Sequence, residues 1–172
     1  SASTTASNNV AVGATALLTN TTGAENTAIG RRALFSSATA SNNTAVGSNA
    51  LLSNTTGTRN AALGTYSLDA NTTADDNTGV GYAALSDNTT GASNTAFGSE
   101  ALLFNTTASN NTAVGSDALR VNTTGIQNVS VGASSLTANT TGNNNVSVGM
   151  NTMVANTTGA QNTALGKAAL AT

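Results

Sequence analysis

Residues 43–59 read NTAVGSNALLSNTTGTR, and this stretch recurs along the chain with a period of seventeen residues. We number the positions of one repeat from 1 at Asn43 to 17 at Arg59. Position 5 is glycine in all ten copies: Gly13, Gly30, Gly47, Gly64, Gly81, Gly98, Gly115, Gly132, Gly149 and Gly166. A fixed period without insertions is typical of repeat proteins, in which each unit packs only on its neighbours. The sequence therefore predicts a stack of similar units and argues against a compact enzyme fold.

Two columns of asparagine run through the repeats. Position 1 never varies, and its asparagines include Asn26, Asn43, Asn60, Asn77, Asn94, Asn111 and Asn128. Position 12 is also asparagine, except at Ser3 and Ser37. Asparagine favours turns and bonds to nearby backbone, and amides stacked in register can bond to the copies above and below. We expect both columns to form structural ladders and to take no part in catalysis.

Large apolar residues occupy positions 4 and 9 of each repeat. Four copies illustrate the pattern: Val46 and Leu51, Val80 and Leu85, Phe97 and Leu102, and Val114 and Leu119. Burying two such side chains contributes about 3–6 kcal/mol, whereas ordering seventeen residues of backbone costs about 17–34 kcal/mol. One repeat cannot fold alone, so we expect these two columns to form the core of a stacked array.

The segment from position 1 to position 5 alternates and carries threonine and valine, which favour a strand. A helical turn at Ala-Leu is the competing interpretation, but the asparagine, threonine and glycine that follow favour turns. We predict an all-β fold, a parallel β-solenoid or β-roll of ten coils, with residues 1–172 as one repeat domain. At about 4.8 Å per coil the rod would be roughly 48 Å long.

Position 3 is restricted to small residues, including Ala28, Ala45, Ala62, Ala96 and Ala113. A strand that accepts no charge on either face is usually covered on both faces. Small side chains permit close approach by another backbone, which is either the opposite wall of the coil or a partner subunit. We therefore treat the position-3 column as the candidate contact between subunits.

The composition excludes several classes of protein. Charged residues make up 7% of the chain and the net charge is −2, which is unlike a nucleic-acid-binding protein. No apolar stretch approaches the ~20 residues of a membrane span, and Ser1 to Val10 lack a signal-peptide pattern. The chain begins and ends inside the repeat, so we expect a segment of a longer protein or a unit that stacks end to end.

The motif NTAIG at residues 26–30 and NTAVG at residues 43–47 and 111–115 resembles known repeats. It is similar to the head repeats of trimeric autotransporter adhesins, and to arrays in phage tail-fibre-like proteins that end in an endosialidase-type chaperone domain. The resemblance implies a parallel β-roll of three packed chains in a bacterial surface or virion fibre, outside the cell. It also implies that Val46 and Leu51 are core and that Ala45 lies near the contact between chains. The repeat here is longer than that of the adhesin heads, because it carries the added Asn-Thr-Thr-Gly segment.

No catalytic, metal or cofactor site is predicted. The chain has neither histidine nor cysteine, which removes the usual triads and zinc sites. Asp75 and Asp76 are adjacent acids in a variable corner, where a solvated role is expected. The Asn-Thr-Thr triplets match the glycosylation sequon, but an internal ladder would be incompatible with glycosylation. We therefore expect a protein that is not an enzyme.

Three functions remain open from the sequence. The first is a structural or adhesive fibre segment, homotrimeric, that presents its corners to a surface receptor or glycan. The second is an ice-binding solenoid that uses a stacked threonine column: Thr55, Thr72, Thr89, Thr106 and Thr123. The third is a subunit that stacks end to end into a filament.

Overall fold

The computed structural model describes residues 5–171. Each repeat contributes one strand of three residues, from position 2 to position 4. The strands are β1 (Val10–Val12), β2 (Thr27–Ile29), β3 (Thr44–Val46), β4 (Ala61–Leu63), β5 (Thr78–Val80), β6 (Thr95–Phe97), β7 (Thr112–Val114), β8 (Val129–Val131), β9 (Val146–Val148) and β10 (Thr163–Leu165).

The strands form one parallel sheet whose spatial order is the chain order. Each residue pairs with the residue at the same position of the next repeat, as Ala45 does with Ala62. The rest of each repeat returns the chain to the start of the next strand through turns. The predicted all-β parallel solenoid with seventeen residues per coil is confirmed. We call residues 9–25 coil 1 and number the following coils in order.

Glycine at position 5 ends each strand in a conformation that other residues avoid. Gly47 has φ 139°, and the corresponding glycines have similar values. A Cβ atom built on Gly47 would overlap the carbonyl group of Gly64 in the next coil. Both the dihedral angle and the close stacking of coils therefore require glycine, which explains why the column never varies.

Three further positions of every coil, 7, 9 and 17, are left-handed although they are not glycine. In coil 3 they are Asn49, Leu51 and Arg59, with φ between 50° and 60°. Position 8, between two left-handed residues, has a negative φ. Because the backbone conformation alternates in this way, the side chains of positions 8 and 9 both point inward. Leu51 and Ala50 are both fully buried as a result.

The interior contains the small side chains of position 3 facing the side chains of positions 8 and 9. Leu51, Leu85, Leu102 and Leu119 are fully buried, as the sequence predicts. The position-3 residues Ala28, Ala45, Ala62, Ala96 and Ala113 are buried with them inside the single chain. This corrects the expectation that these alanines contact another subunit.

The narrowness of the coil explains the correction. A Cβ atom built on Gly79 would lie within 3.4 Å of Ser67 Oγ, the Ala84 carbonyl oxygen and Leu68 Cγ, which belong to the opposite wall. Position 3 is small because the two walls of one coil almost touch there. Position 4 is its neighbour on the strand and consequently points outward.

Val46, Val80, Phe97 and Val114 therefore lie outside the core, contrary to the expectation from the sequence. Phe97 is 56% exposed and Val114 is 36% exposed, while Val46 and Val80 are partly exposed. Within residues 5–171 there is no helix that could cross a membrane.

Candidate interaction surface

The outward side chains of the ten strands form one continuous surface, which we call the outer sheet face. It consists of positions 2 and 4 of every coil. Position 2 carries threonine, valine or alanine, from Val10 to Thr163, and position 4 carries valine, isoleucine, leucine or phenylalanine, from Val12 to Leu165. No residue of this face is charged in any of the ten strands.

The outer sheet face is uncharged, with an apolar column at position 4 beside a column of mostly threonine at position 2, and it is bordered by polar residues. Leu63 is 50% exposed and Leu165 is 79% exposed. Position 17, at the start of the strand segment, is polar or charged in every coil and exposed throughout. With strands about 4.8 Å apart and three residues wide at about 3.3 Å each, the face covers roughly 500 Å². An area of roughly 500 Å² is within the range of the largest patch on a typical monomeric protein, and such a patch is often functional.

The position-1 asparagines lie behind this face and form an interior ladder. The Oδ1 atom of Asn77 accepts from the backbone N–H of Asn94 at 2.9 Å, and its Nδ2 donates across its own coil to the Gly91 carbonyl at 2.9 Å. The same pair of bonds recurs for Asn26, Asn43, Asn60, Asn94, Asn111 and Asn128. Each of these side chains thus joins its own coil to the next one and also bonds across the interior of its own coil.

The position-12 asparagines form a second interior ladder. Asn88 Nδ2 donates to Asn71 Oδ1 at 3.0 Å and to the Gly91 carbonyl at 2.9 Å. The carbonyl at position 15 therefore accepts from both ladders. The second ladder is interrupted at Ser37, where Asn20 Oδ1 and Ser37 Oγ are buried without partners. Because the sequon asparagines are buried in this ladder, the folded chain keeps them from modification.

The predicted ice-binding column is part of the scaffold. Each of these threonines donates its hydroxyl to the position-13 carbonyl of the next coil, and Thr55 does so at 3.1 Å to Thr72. The bonds of Thr72, Thr89, Thr106 and Thr123 are equivalent, at 3.0 to 3.3 Å. These hydroxyls are already committed to backbone, and four of the five side chains are half-buried.

The charged residues lie at the corners of the coils. Arg59 bonds to Asp76 at 2.6 Å and lies 3.7 Å from Asp75, and this pairing holds the pKa of Asp76 below its ordinary value. Asp69 accepts from Ser86 Oγ at 2.6 Å, but burial raises the pKa of its carboxyl group. Among residues 5–171 no cluster of acidic side chains is arranged to hold a metal ion.

A cavity of about 320 Å³ opens at the last coil. It is lined by core and ladder side chains, among them Met153, Asn156, Asn162 and Leu170. These residues line the interior in the coils below, so the cavity is the uncovered end of the stack and offers no separate chemistry.

Comparison with known protein families, curated proteins and solved structures finds no match to this chain. The outer sheet face is the strongest candidate for function, because it is the large surface whose composition the single folded chain does not explain.

Proposed function

We propose that this chain is a non-enzymatic structural segment of an extracellular fibre, a stiff spacer that assembles as a homotrimer through its outer sheet face. The observation that carries the proposal is the uncharged surface of positions 2 and 4, whose exposed apolar column at position 4 extends over all ten strands. Covering such a surface with another chain contributes about 25 cal/mol of favourable free energy for each Å² of apolar area removed from water.

The remainder of the molecule suits a spacer. Every coil bonds to both neighbours through backbone and asparagine ladders, so bending the rod would break bonds in many coils together. The variable corners, where the charges and most aromatics lie, remain available for a surface receptor or glycan. The threefold number and the location on a bacterial surface or virion come from the resemblance to adhesin heads and tail-fibre arrays.

The proposal is tested by the absolute mass of the chain in dilute solution, from light scattering after size exclusion. We expect a threefold mass for the wild type and a single-chain mass for Val80→Asp, which places a charge in the middle of the outer sheet face. Thr90→Asp is the matched control and should retain the threefold mass. Thr90 is exposed at position 14, in the Asn-Thr-Thr segment and outside the outer sheet face. A single-chain mass for the wild type would overturn the proposal, and a heterogeneous high mass would favour an end-to-end filament instead.

Ice binding is a second candidate, because one feature of the outer sheet face favours it. The position-2 threonines, such as Thr44, Thr78 and Thr95, point outward beside position 4, so the face carries two regular columns. The candidate surface is therefore this face and not the Thr55 column.

Thermal hysteresis tests this second candidate. If the face binds ice, the wild type shows hysteresis, Thr95→Lys abolishes it, and Thr107→Lys on the opposite edge leaves it intact. Absence of hysteresis in the wild type rejects ice binding.

A further inference from the structure

Side-chain size alternates along position 4 of the outer sheet face. The odd-numbered coils all carry valine there: Val12, Val46, Val80, Val114 and Val148. The even-numbered coils carry Ile29, Leu63, Phe97, Val131 and Leu165, so four of these five side chains are larger. Leu63 and Phe97 are 50% and 56% exposed, against 36% for Val114 and 39% for Ile29; in the first coil Val12 is also 56% exposed. The face therefore has large side chains about 9.6 Å apart on coils 2, 4 and 6 and another on coil 10, with none on coil 8.

The corner that precedes each strand, at position 16, has the same two-coil period. The backbone N–H at position 16 of an odd coil donates to the side-chain oxygen at position 16 of the even coil that follows. The pairs are Ala24 to Ser41, Thr58 to Asp75, Ala92 to Ser109 and Ile126 to Asn143, at 3.0, 2.7, 3.0 and 2.7 Å. The accepting residues are spaced thirty-four residues apart.

Position 15, beside these bonds, follows the same rule. It is glycine in odd coils, as at Gly57 and Gly91, and alanine in even coils 2, 4 and 6, at Ala40, Ala74 and Ala108. Coil 8 is the exception, with Gly142, and it is also the coil whose position 4 is Val131. The structural unit is consequently a pair of coils, and the position-16 bonds and the large position-4 side chains belong to the same pair.

We propose that the outer sheet face packs against other copies of this same chain with this two-coil period, so that the large side chains of even coils fill the space left at the valine levels. This inference rests on the proposed homo-oligomer. A phenylalanine or leucine is larger than the ~4.8 Å level of one coil and must extend into the levels above and below. Valine on both adjacent levels provides that room, and alternation of large and small residues is how facing layers interdigitate.

Another copy of the chain fits this surface better than an ice plane or an unrelated partner does. An ice-binding face needs side chains of even height, whereas Phe97 and Leu63 stand above their neighbours. A partner must match large side chains about 9.6 Å apart on coils 2, 4 and 6, and a second copy of the chain carries the same spacing.

Two double variants of identical composition test the rule. Val80→Phe with Phe97→Val moves the phenylalanine by one coil, which places large residues on the adjacent levels of coils 4 and 5 and valines on the next four levels. Leu63→Phe with Phe97→Leu moves it by two coils and keeps the alternation. All of these side chains point outward, so the fold of the single chain is unchanged, which circular dichroism checks.

The readout is the concentration at which the assembly is half dissociated, from mass measured on dilution. We expect the first variant to raise this concentration about tenfold or more, because overpacking and a void are created side by side, and the second to change it by less than about threefold. Equal effects of the two variants on an assembled wild type would overturn the two-coil rule and leave the proposed function standing. A wild type of single-chain mass would overturn the proposed function, and this inference with it.

Discussion

Asn94, which precedes strand β6, and Thr95, its first residue, are neighbours in the chain but belong to different regions of the molecule. Asn94 points into the coil, is fully buried and bonds to the coils on either side. Thr95 points out onto the outer sheet face, where Ala61 and Val129 occupy the equivalent position in other coils. Position 1 in the interior tolerates one residue type, whereas position 2 on the face tolerates several, none of them charged.

The difference shows that two kinds of constraint act on the repeat. Invariance marks positions where a side chain must form particular hydrogen bonds inside one chain. Variation in size without any charge marks the outer sheet face, which we propose packs against other copies of the chain. Perturbing each region separately should therefore affect the stability of the chain and its assembly independently.

The largest effect is expected at the marker glycine of an interior coil. Gly81→Ala requires a non-glycine residue at φ 133° and places a Cβ atom against the carbonyl oxygen of Gly98. We expect a loss of about 3 kcal/mol or more in the free energy of unfolding, measured with denaturant. Gly166→Ala is the matched control, because its Cβ atom would meet nothing within 4 Å, and it should cost clearly less. Equal losses would mean that stacking of coils is not what requires glycine.

Breaking the interior ladder should have the next largest effect. Asn94→Ala removes the acceptor of the Asn111 N–H, bonded at 3.0 Å, and a donor to the Ala108 carbonyl at 2.8 Å. We expect a cost of about 2–3 kcal/mol, since a buried N–H loses its partner. Thr95→Ala, one residue along, should cost less than about 0.5 kcal/mol in the isolated chain. A comparable loss from both would contradict the distinction between interior and face.

Repairing the second ladder should stabilise the chain. Ser37→Asn supplies a donor to the unpaired Asn20 Oδ1, as Asn71 does for Asn54 at 3.0 Å in a regular pair of coils. We expect a gain of about 1 kcal/mol, read as a higher melting temperature. Ser36→Asn, at the half-buried neighbouring position, serves as the control and should produce no gain. A melting temperature that falls on Ser37→Asn would show that this coil is too tight for an amide.

The smallest effect on stability is expected at a charged corner of the coil, at Asp69. Burial raises the pKa of Asp69 in the folded chain, so its carboxyl group protonates more readily when folded than when unfolded. Lowering the pH from neutral through the folded pKa, towards the unfolded value, should therefore stabilise the wild type. Asp69→Asn has no carboxyl group to protonate and cannot gain this stability. As the pH falls, the melting temperature of the wild type should therefore rise relative to that of the variant.

A variant at a second corner, Asp76, distinguishes the effect of Asp69 protonation from a general loss of stability in acid. The pKa of Asp76 is lowered by Arg59, so its contribution to stability is lost as the pH falls through that lowered folded value. Asp76→Asn should therefore change the melting profile only at more acidic pH than Asp69→Asn does. The same profile for both variants would contradict the opposite directions of the two pKa shifts.

Much of the fold was predictable, because the repeat supplies ten independent readings of each position. The invariant glycines indicated the solenoid, Leu51 and its equivalents indicated a core column, and the asparagines indicated ladders. The orientation of the strand was not predictable from Ala45 and Val46 alone. Large residues usually point inward, and with no charge at either position nothing in the alternation identified the outer side.

The two-coil rule was present in the sequence at Ser41, Asp75, Ser109 and Asn143, and at the valines of position 4. Aligning the repeats with a period of seventeen residues obscures this thirty-four-residue period, because each aligned position then mixes odd and even coils. The hydrogen bonds at position 16 made the pairing of coils visible.

By itself the sequence determined a parallel solenoid of uniform coils, because an unbroken period of residues that favour strands and turns allows neighbours to stack only in register. The tertiary structure alone decided which side of each strand is buried. Left-handed residues at positions 7 and 9 bring the Leu51 column and its neighbours across a narrow coil, where only small side chains fit at position 3. The interior is thereby filled from the opposite wall, and the larger apolar residues are left on the outside.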